Sequence, residues 1–305
     1  MRHIFIVNPT AGKSGDQQDL AERIRSLGLE SEIVYTAGPG HARQLAREAG
    51  SAGQPARLYA CGGDGTLNEV VNGAAGFGQL AVTNVPLGTG NDFLRIFGPR
   101  FRAGFSDLAA LSRGPQADFD LMDCNGLLGI GVICAGVDAR IAADVHRYKA
   151  LPLVSGTGAY VLSLLVNVLF KGICIPMRTE LGGRTYDGQT AILCICNGRY
   201  YGGGFMPVGD AMPDDGVLDM LLVPKISRTT FFRFVGPYSK GSYRNYPHLI
   251  RDYHGQSVTF SADRPITVVV DGEVMRDTRF TVRLSEQTIP FFYPGDLDYS
   301  PKKPR

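Results

Sequence analysis

Three short runs in this 305-residue chain set acids among glycines: "CGGDGTLNEVVNG" at 61–73, "AMPDDGVLD" at 211–219 and "VVVDGEVM" at 268–275. In the first, Asp64 stands among Gly62, Gly63 and Gly65, after the apolar "ARLYA" at 56–60 and before Thr66, Glu69, Val70 and Val71. That order predicts a strand, a tight turn and a helix entered at Thr66, with Thr66 as N-cap and Glu69 completing a capping box. Such a turn points unpaired backbone N–H groups along the positive end of the helix dipole, and glycines let a bulky anion come close. The expected ligand is a phosphate. A bare carboxylate would repel it, so Asp64 implies a cation such as Mg²⁺ nearby, and the run reads as a nucleotide-phosphate and metal site. In the third run Asp271 and Glu273 flank Gly272 after an apolar strand, so both side chains can lie on one side of a turn. A polar hairpin turn between "ITVVV" and "RFTVRL" is the alternative. Asp214, Asp215 and Asp219 of the second run, near Gly216, read by themselves as a turn.

The first third of the chain alternates. Strand-like "HIFIVN" (3–8), "SEIVYT" (31–36), "ARLYA" and "LAVTNVPLG" (80–88) are separated by helical patterns at 16–27, at 41–49 and from Thr66. This βαβαβαβ order predicts a parallel sheet covered on both faces, with ligands at the carboxyl ends of its strands. Those ends carry "NPTAGKSG" (8–15), "TAGPG" (36–40), "GGDGT" (62–66) and "LGTGND" (87–92). "AGKS" at 11–14 is not a P-loop, because that motif needs a glycine where Val7 stands. The dinucleotide fingerprint fails as well, since Asn68 occupies the place of its last glycine. What remains is a phosphate-cradling loop of another kind using Asn8, Gly12 and Lys13, with an ordinary strand-to-helix turn as the alternative. From about 117 the chain turns to short strand-like runs, including "LLGIGVICAG", "TAILCICNG" and "SVTFSA", around one helical interruption near 137–170. That predicts a mostly β second domain.

A formal net charge of +2 gives no argument for nucleic acid as a partner. Six cysteines in apolar contexts, without zinc-like spacing, read as reduced core residues of a cytosolic protein. The N-terminus lacks a signal-peptide pattern, and the apolar run at 158–170 is shorter than the roughly 20 residues of a membrane span. Residues 225–251 hold six Lys or Arg, six aromatics and no acid. They read either as a solvated basic face or as a dock for an anionic membrane surface. "AYVLSLLVNVLF" reads as core, with a lipid slot as the alternative.

In this order and spacing, "VNPTAGKSG", "GGDGTLNEVVNG", "PLGTGNDFLR", "PDDGVLD" and "VDGE" resemble the diacylglycerol kinase catalytic family. These are bacterial soluble lipid kinases related to diacylglycerol, sphingosine and ceramide kinases. The likeness runs from residue 4 to about 292. It implies an N-terminal α/β domain with a parallel sheet, of the NAD kinase/diacylglycerol kinase-like kind, followed by a C-terminal β-sandwich. Boundaries fall at 1–122 and 123–286, with 287–305 either packing back on the first domain or fraying. The implied reaction is ATP- and Mg²⁺-dependent phosphorylation of a lipid hydroxyl, diacylglycerol giving phosphatidic acid. Sphingoid or ceramide-type kinases, an NAD kinase-like metabolite kinase and a silent sensor are the alternatives.

By the same resemblance, ATP contacts fall on Asn8, Pro9, Thr10, Ala11, Gly12, Thr36, Gly63, Asp64, Gly65, Thr66, Leu67, Asn68, Glu69 and Thr89. A structural Mg²⁺ is implied at Asp215 and the carbonyls of Met212 and Val217, linked through water to Asp120 and Asp64, with Asp123 as substitute for Asp120. The general base lies in the Asp271-Gly272-Glu273 triplet, and the residues leave open which acid it is. The implied setting is cytoplasmic and peripheral to the inner face of the membrane, with a lipid substrate as partner. A homodimer is left open.

Overall fold

The computed structural model describes residues 1–12, 15–88, 90–149 and 156–302. It divides into two compact units, one of Met1–Leu121, Pro213–Asp215 and Ser285–Arg305, the other of Met122–Met212 and Gly216–Leu284.

In the first unit, β1 (Arg2–Val7), β2 (Ser31–Tyr35), β3 (Ala56–Gly62) and β4 (Leu80–Pro86) form a parallel sheet in the order β4-β3-β1-β2. Their near-continuous apolar sequences follow from burial on both faces, which the connecting helices provide. Val7 stands opposite both Tyr35 and Cys61, and Gly62 opposite Pro86. All four carboxyl ends therefore share one edge. The chain reverses direction of winding between β1 and β3, the topological switch point at which such sheets open a crevice. The loops after β1 and β3 flank it.

The helices α1 (Asp16–Ser26), α2 (His41–Ser51) and α3 (Asp64–Ala74) connect the strands. In α3, Leu67, Val70, Val71 and Ala74 recur at helical spacing and are buried. This helix begins three residues earlier than the sequence suggests, with Gly63 and not Thr66 as N-cap, and Thr66 lies inside its first turn. The expected capping box does not form, because the Glu69 carboxylate instead accepts the N–H groups of Gly40 (2.8 Å) and Ala42 (3.0 Å) at the start of α2. A short 3-10 turn (Phe93–Phe97), α4 (Phe101–Ser106), α5 (Leu108–Ser112) and β5 (Gln116–Cys124) complete this part. Phe93, Phe97 and Phe119 each stack on or edge against Phe291, and Phe97 also meets Tyr293 and Tyr299. The C-terminal segment is thus fixed in the first unit by aromatic contacts.

The second unit is strand-rich: β6 (Leu127–Gly129), β7 (Val132–Gly136), β8 (Ile175–Leu181), β9 (Arg184–Cys196), β10 (Leu218–Pro224), β11 (Arg251–Gly255), β12 (Ser257–Val270) and β13 (Glu273–Phe292), whose far end enters the first unit. Antiparallel pairing runs β11-β10-β9-β7-β12-β13, and β8 bridges β9 and β12. Along β9, Leu193 and Ile195 face a core shared with Phe260 and Phe280, whereas Ile192, Cys194 and Cys196 face a second core with Phe231 and Phe234. Burial on both sides explains why "AILCIC" reads as an unbroken apolar run. The runs "SVTFSA" and "ITVVV" are one strand, bent by a register shift between Ser261 and Ile266 where Pro265 cannot donate to the ladder.

The helical interruption contains two helices, α6 (Val137–Lys149) and α7 (Gly156–Leu169), and α8 (Arg228–Tyr238) is capped by Ser227, whose Oγ accepts the Thr230 N–H at 3.1 Å. Four of the aromatics in 225–251, namely Phe231, Phe234, Tyr238 and Tyr243, are core residues and not a docking surface. All six cysteines are free thiols, five of them buried. Among the described residues no helix is long and apolar enough to cross a membrane.

Candidate active site

In the first unit the residues expected to meet ATP gather on the edge formed by the strand ends. Asn8 closes the loop after β1 through its side chain: Oδ1 accepts from Thr10 N–H (3.0 Å) and Thr10 Oγ1 (2.8 Å). Its Nδ2 donates to Thr66 Oγ1 at 3.3 Å. Asn8 therefore ties the first loop to the glycine turn across the switch point. Pro9, Thr10 and Gly12 are exposed, Ala11 is half-buried, and Thr36 donates its N–H to the Val7 carbonyl (2.9 Å). At the head of α3, Gly63 provides no side-chain cap. The first-turn N–H groups there, those of Asp64, Gly65 and Thr66, are the kind of donors that bind a phosphate. Leu67 and Asn68 are buried, the Leu67 N–H is donated to the Gly63 carbonyl (3.1 Å), and the Glu69 carboxylate is spent on α2. Lys13 and Thr89 lie outside the described residues.

Asp64 joins two loops. Its carboxylate accepts the N–H groups of Asn91 (2.8 Å) and Phe93 (3.4 Å), fixing those two residues against "GGDGT". A Cβ at Gly90 would fall 2.6 Å from Asp64 Oδ2, which explains the glycine there. Burial, and then the neighbouring charge of Asp92, push the Asp64 carboxyl up to about 6. A buried anion of this kind is relieved by a nearby cation.

The acid-rich turn belongs in part to the same unit. Asp120 donates its N–H to the Pro213 carbonyl at 2.6 Å, which sets β5 beside residues 213–215. Asp214 is buried, one oxygen accepting the Lys302 N–H (2.7 Å) and Oδ1 lacking a hydrogen-bond partner. Asp215 meets Lys302 Nζ at 3.3 Å. Asp64, Asp120 and Asp215 are thus residues of the first unit, while Met212 and Val217 belong to the second. Among the described residues no three His, Cys, Asp or Glu side chains cluster tightly enough to hold a metal by themselves. The donor set suits a hard cation completed by carbonyls and water. Asp123 instead pairs with Arg283 at 3.0 Å.

In the second unit, Val270 pairs with Glu273, so Asp271 and Gly272 form a two-residue hairpin loop with φ of 47° and 98°. This is the type I′ geometry that favours Asp-Gly. The Asp271 side chain does more than turn the chain. Its two oxygens accept the N–H groups of Ile130 (2.7 Å), Gly131 (3.1 Å) and Val132 (2.8 Å). A Cβ on Gly131 would sit 2.6 Å from Asp271 Oδ1. From the other side Asn197 Nδ2 donates to the Ile130 carbonyl at 2.8 Å, and the N–H groups of Asn197 and Gly198 donate to that of Gly131. Glu273, in contrast, is exposed at the head of β13. Asn197 escaped the sequence reading because an Asn-Gly after a strand looks like any turn.

The sequence reading also missed Asp138, in the first turn of α6, which accepts a 2.6 Å hydrogen bond from Tyr201 Oη. Burial pushes its carboxyl up to about 6. Because this value lies above that of an unfolded aspartate, the fold takes up a proton between about pH 4 and 6, and Asp138 favours the folded state most at the acid end of that window. Asp138→Asn is therefore expected to flatten the pH dependence of stability there by about 2 kcal/mol, with Cys134, Tyr201 and Tyr238 among its titratable neighbours. Denaturant midpoints of parent and variant from pH 4 to 7 check this; parallel profiles contradict it.

The sequence matches the description "Diacylglycerol kinase catalytic domain" over residues 2–124 and "YegS C-terminal NAD kinase beta sandwich-like domain" over 131–292. It is 33% identical over 218 residues to "Probable lipid kinase YegS-like" of Pseudomonas aeruginosa, covering 70% of each chain. To the "Diacylglycerol kinase" of Bacillus subtilis it is 26% identical over 273 residues, covering 88% of each. A crystal structure of a diacylglycerol kinase from Bacillus anthracis superposes with a TM-score of 0.70 over 96% of each chain at 19% identity, which shows a shared fold.

Proposed function

The chain belongs to the family of lipid kinases that carries the diacylglycerol kinase catalytic domain, and from this premise we propose that it transfers the γ-phosphoryl group of ATP to the hydroxyl of diacylglycerol, with Mg²⁺ required. The observation that carries this reading is the glycine-headed α3 at the switch point, its donors left without a side-chain cap and its loops joined by Asn8 and Asp64. The relative from Bacillus subtilis, named a diacylglycerol kinase, supports diacylglycerol as acceptor.

Phosphoryl transfer proceeds through a loose transition state, so the protein's work is to position, to neutralise charge and to take the acceptor's proton. The first-turn N–H groups of α3 hold phosphate oxygens, and Asp64 keeps Asn91 and Phe93 against that turn. Glu273 takes the hydroxyl proton onto its exposed carboxylate. Asp271 acts as its positioning residue, since both of its oxygens already serve Ile130, Gly131 and Val132. Asp215 and the carbonyls of Met212 and Val217 would hold a Mg²⁺ ion, with Asp64 and Asp120 as water-mediated neighbours, and the ion would supply charge neutralisation. Lys302 must yield for Asp215 to serve. Lys302→Met is therefore expected to enlarge the rise in melting temperature produced by Mg²⁺, and Asp215→Ala to reduce it. Equal shifts in all three proteins contradict this role.

The test of function is incubation with γ-³²P-ATP and a panel of diacylglycerol, ceramide, sphingosine and NAD⁺, the lipids in mixed micelles. Label in phosphatidic acid above all other products is expected. Label in NAD⁺ with none in any lipid overturns the reading, and label in a sphingolipid alone reassigns the acceptor.

A further inference from the structure

Seven large apolar side chains stand exposed among the described residues, and four of them, Leu165, Leu169, Phe170 and Phe232, come from two adjoining helical ends in the second unit. Leu165 and Leu169 lie one turn apart on α7, and the Phe170 N–H bonds to the Val166 carbonyl at 3.0 Å, which keeps Phe170 on the last turn. Arg228 Nε donates to the Val168 carbonyl at 2.8 Å, so the first turn of α8 adjoins the last turn of α7. Phe232 follows Arg228 by one turn. Both helices already have a core face: Leu164 and Val168 of α7 pack in the same cluster as Phe231 and Phe234 of α8. The outward apolar residues are therefore surplus to folding. Phe170 is 80% exposed, an arrangement that a monomer in water gains nothing from.

The rim of this patch is cationic. Lys171, Lys225, Arg228 and Arg233 are exposed around it, and of these Lys171 is paired, with Asp144. No acid occurs between 156 and 171 or between 225 and 251. We propose that this face, formed by the end of α7 and the outer side of α8, docks on an anionic phospholipid bilayer. The aromatic and leucine side chains enter the headgroup–acyl boundary while the cations meet the phosphates. Charge decides the occupant. A second copy joined through the same face would set cationic rim against cationic rim, whereas an anionic bilayer complements both parts of the patch. The surface stands independently of which lipid alcohol is phosphorylated.

The experiment is co-sedimentation of the full chain with phosphatidylglycerol/phosphatidylcholine vesicles and with phosphatidylcholine vesicles. Binding to the anionic vesicles, weakened by added salt, is expected. Phe170→Ser with Phe232→Ser is expected to lower it at least tenfold with little change in melting temperature, since Phe170 is largely in solvent and Phe232 keeps only an edge contact with Phe231. Lys225→Gln and Arg233→Gln should each lower it about fivefold. Equal partitioning to both vesicle types, no partitioning to either, or full binding by the double serine variant overturns the proposal. Light scattering that shows a dimer abolished by Phe170→Ser also overturns it, in favour of self-association.

Discussion

Glu273→Gln is expected to lower kcat by about 10²- to 10⁴-fold, the usual cost of losing a general base, while leaving thermal stability at the parental value. The side chain is exposed at the first residue of β13, so the amide removes basicity and little else. Asp271→Asn is expected to behave differently. An asparagine tolerates the positive φ at this position, so the turn itself survives. Its amide, however, offers one acceptor where the carboxylate offers two, and turns a donor toward the N–H groups of Ile130, Gly131 and Val132. Stability should fall by about 3 kcal/mol, and activity should fall with it as the hairpin that presents Glu273 loosens. Pre-steady-state phosphorylation rates and thermal melts of the two variants separate the roles. Full kcat in Glu273→Gln, together with lost turnover at parental stability in Asp271→Asn, would make Asp271 the base.

Asp64→Ala is expected to reduce turnover by on the order of 10³-fold. Two losses combine: the N–H groups of Asn91 and Phe93 lose their acceptor, which frees the backbone there, and the site loses the buried negative charge that favours a cation. Asp64→Asn separates them, because an amide oxygen still accepts one N–H but carries no charge. If positioning dominates, Asp64→Asn recovers most of the ATP affinity lost by Asp64→Ala; if charge dominates, the two variants are equally poor and lose their response to Mg²⁺. Gly90→Ala tests the positioning role from the other side, since its Cβ would meet Asp64 Oδ2 at 2.6 Å. Near-parental turnover in Asp64→Ala removes both explanations.

The parallel sheet and its four loops were legible in the sequence because each strand carries an apolar run followed by glycine and a polar residue, and because βαβ connections leave few topologies open. The start of α3 was misplaced for a physical reason: Thr66 and Glu69 satisfy the local capping pattern, yet Glu69 gains more by capping α2 from a distance. β8 and β11 were overlooked. β8 alternates buried and exposed residues in "IPMRTEL", and β11, "RDYHG", is an exposed edge rich in charge. Neither resembles the apolar runs of its neighbours. The basic aromatic segment could not be divided in the sequence, because aromatics at helical spacing look alike whether they face a core or a membrane. Phe231 and Phe234 of α8 face the core, and Phe232 faces solvent. The acids of the site were recognised from their glycines. Their division of labour was not, because it depends on partners distant in the chain: Asn91 for Asp64, Ile130 for Asp271 and Lys302 for Asp215.

The most direct test of the central claim is the mass spectrum of the lipid product formed from diacylglycerol and ATP labelled with ¹⁸O on the γ-phosphoryl group. The lipid hydroxyl attacks phosphorus and keeps its own oxygen, so the phosphatidic acid should carry the three labelled non-bridging oxygens of the transferred group, and Glu273→Gln should slow its appearance without changing the pattern. Labelled inorganic phosphate with no labelled lipid would contradict the account.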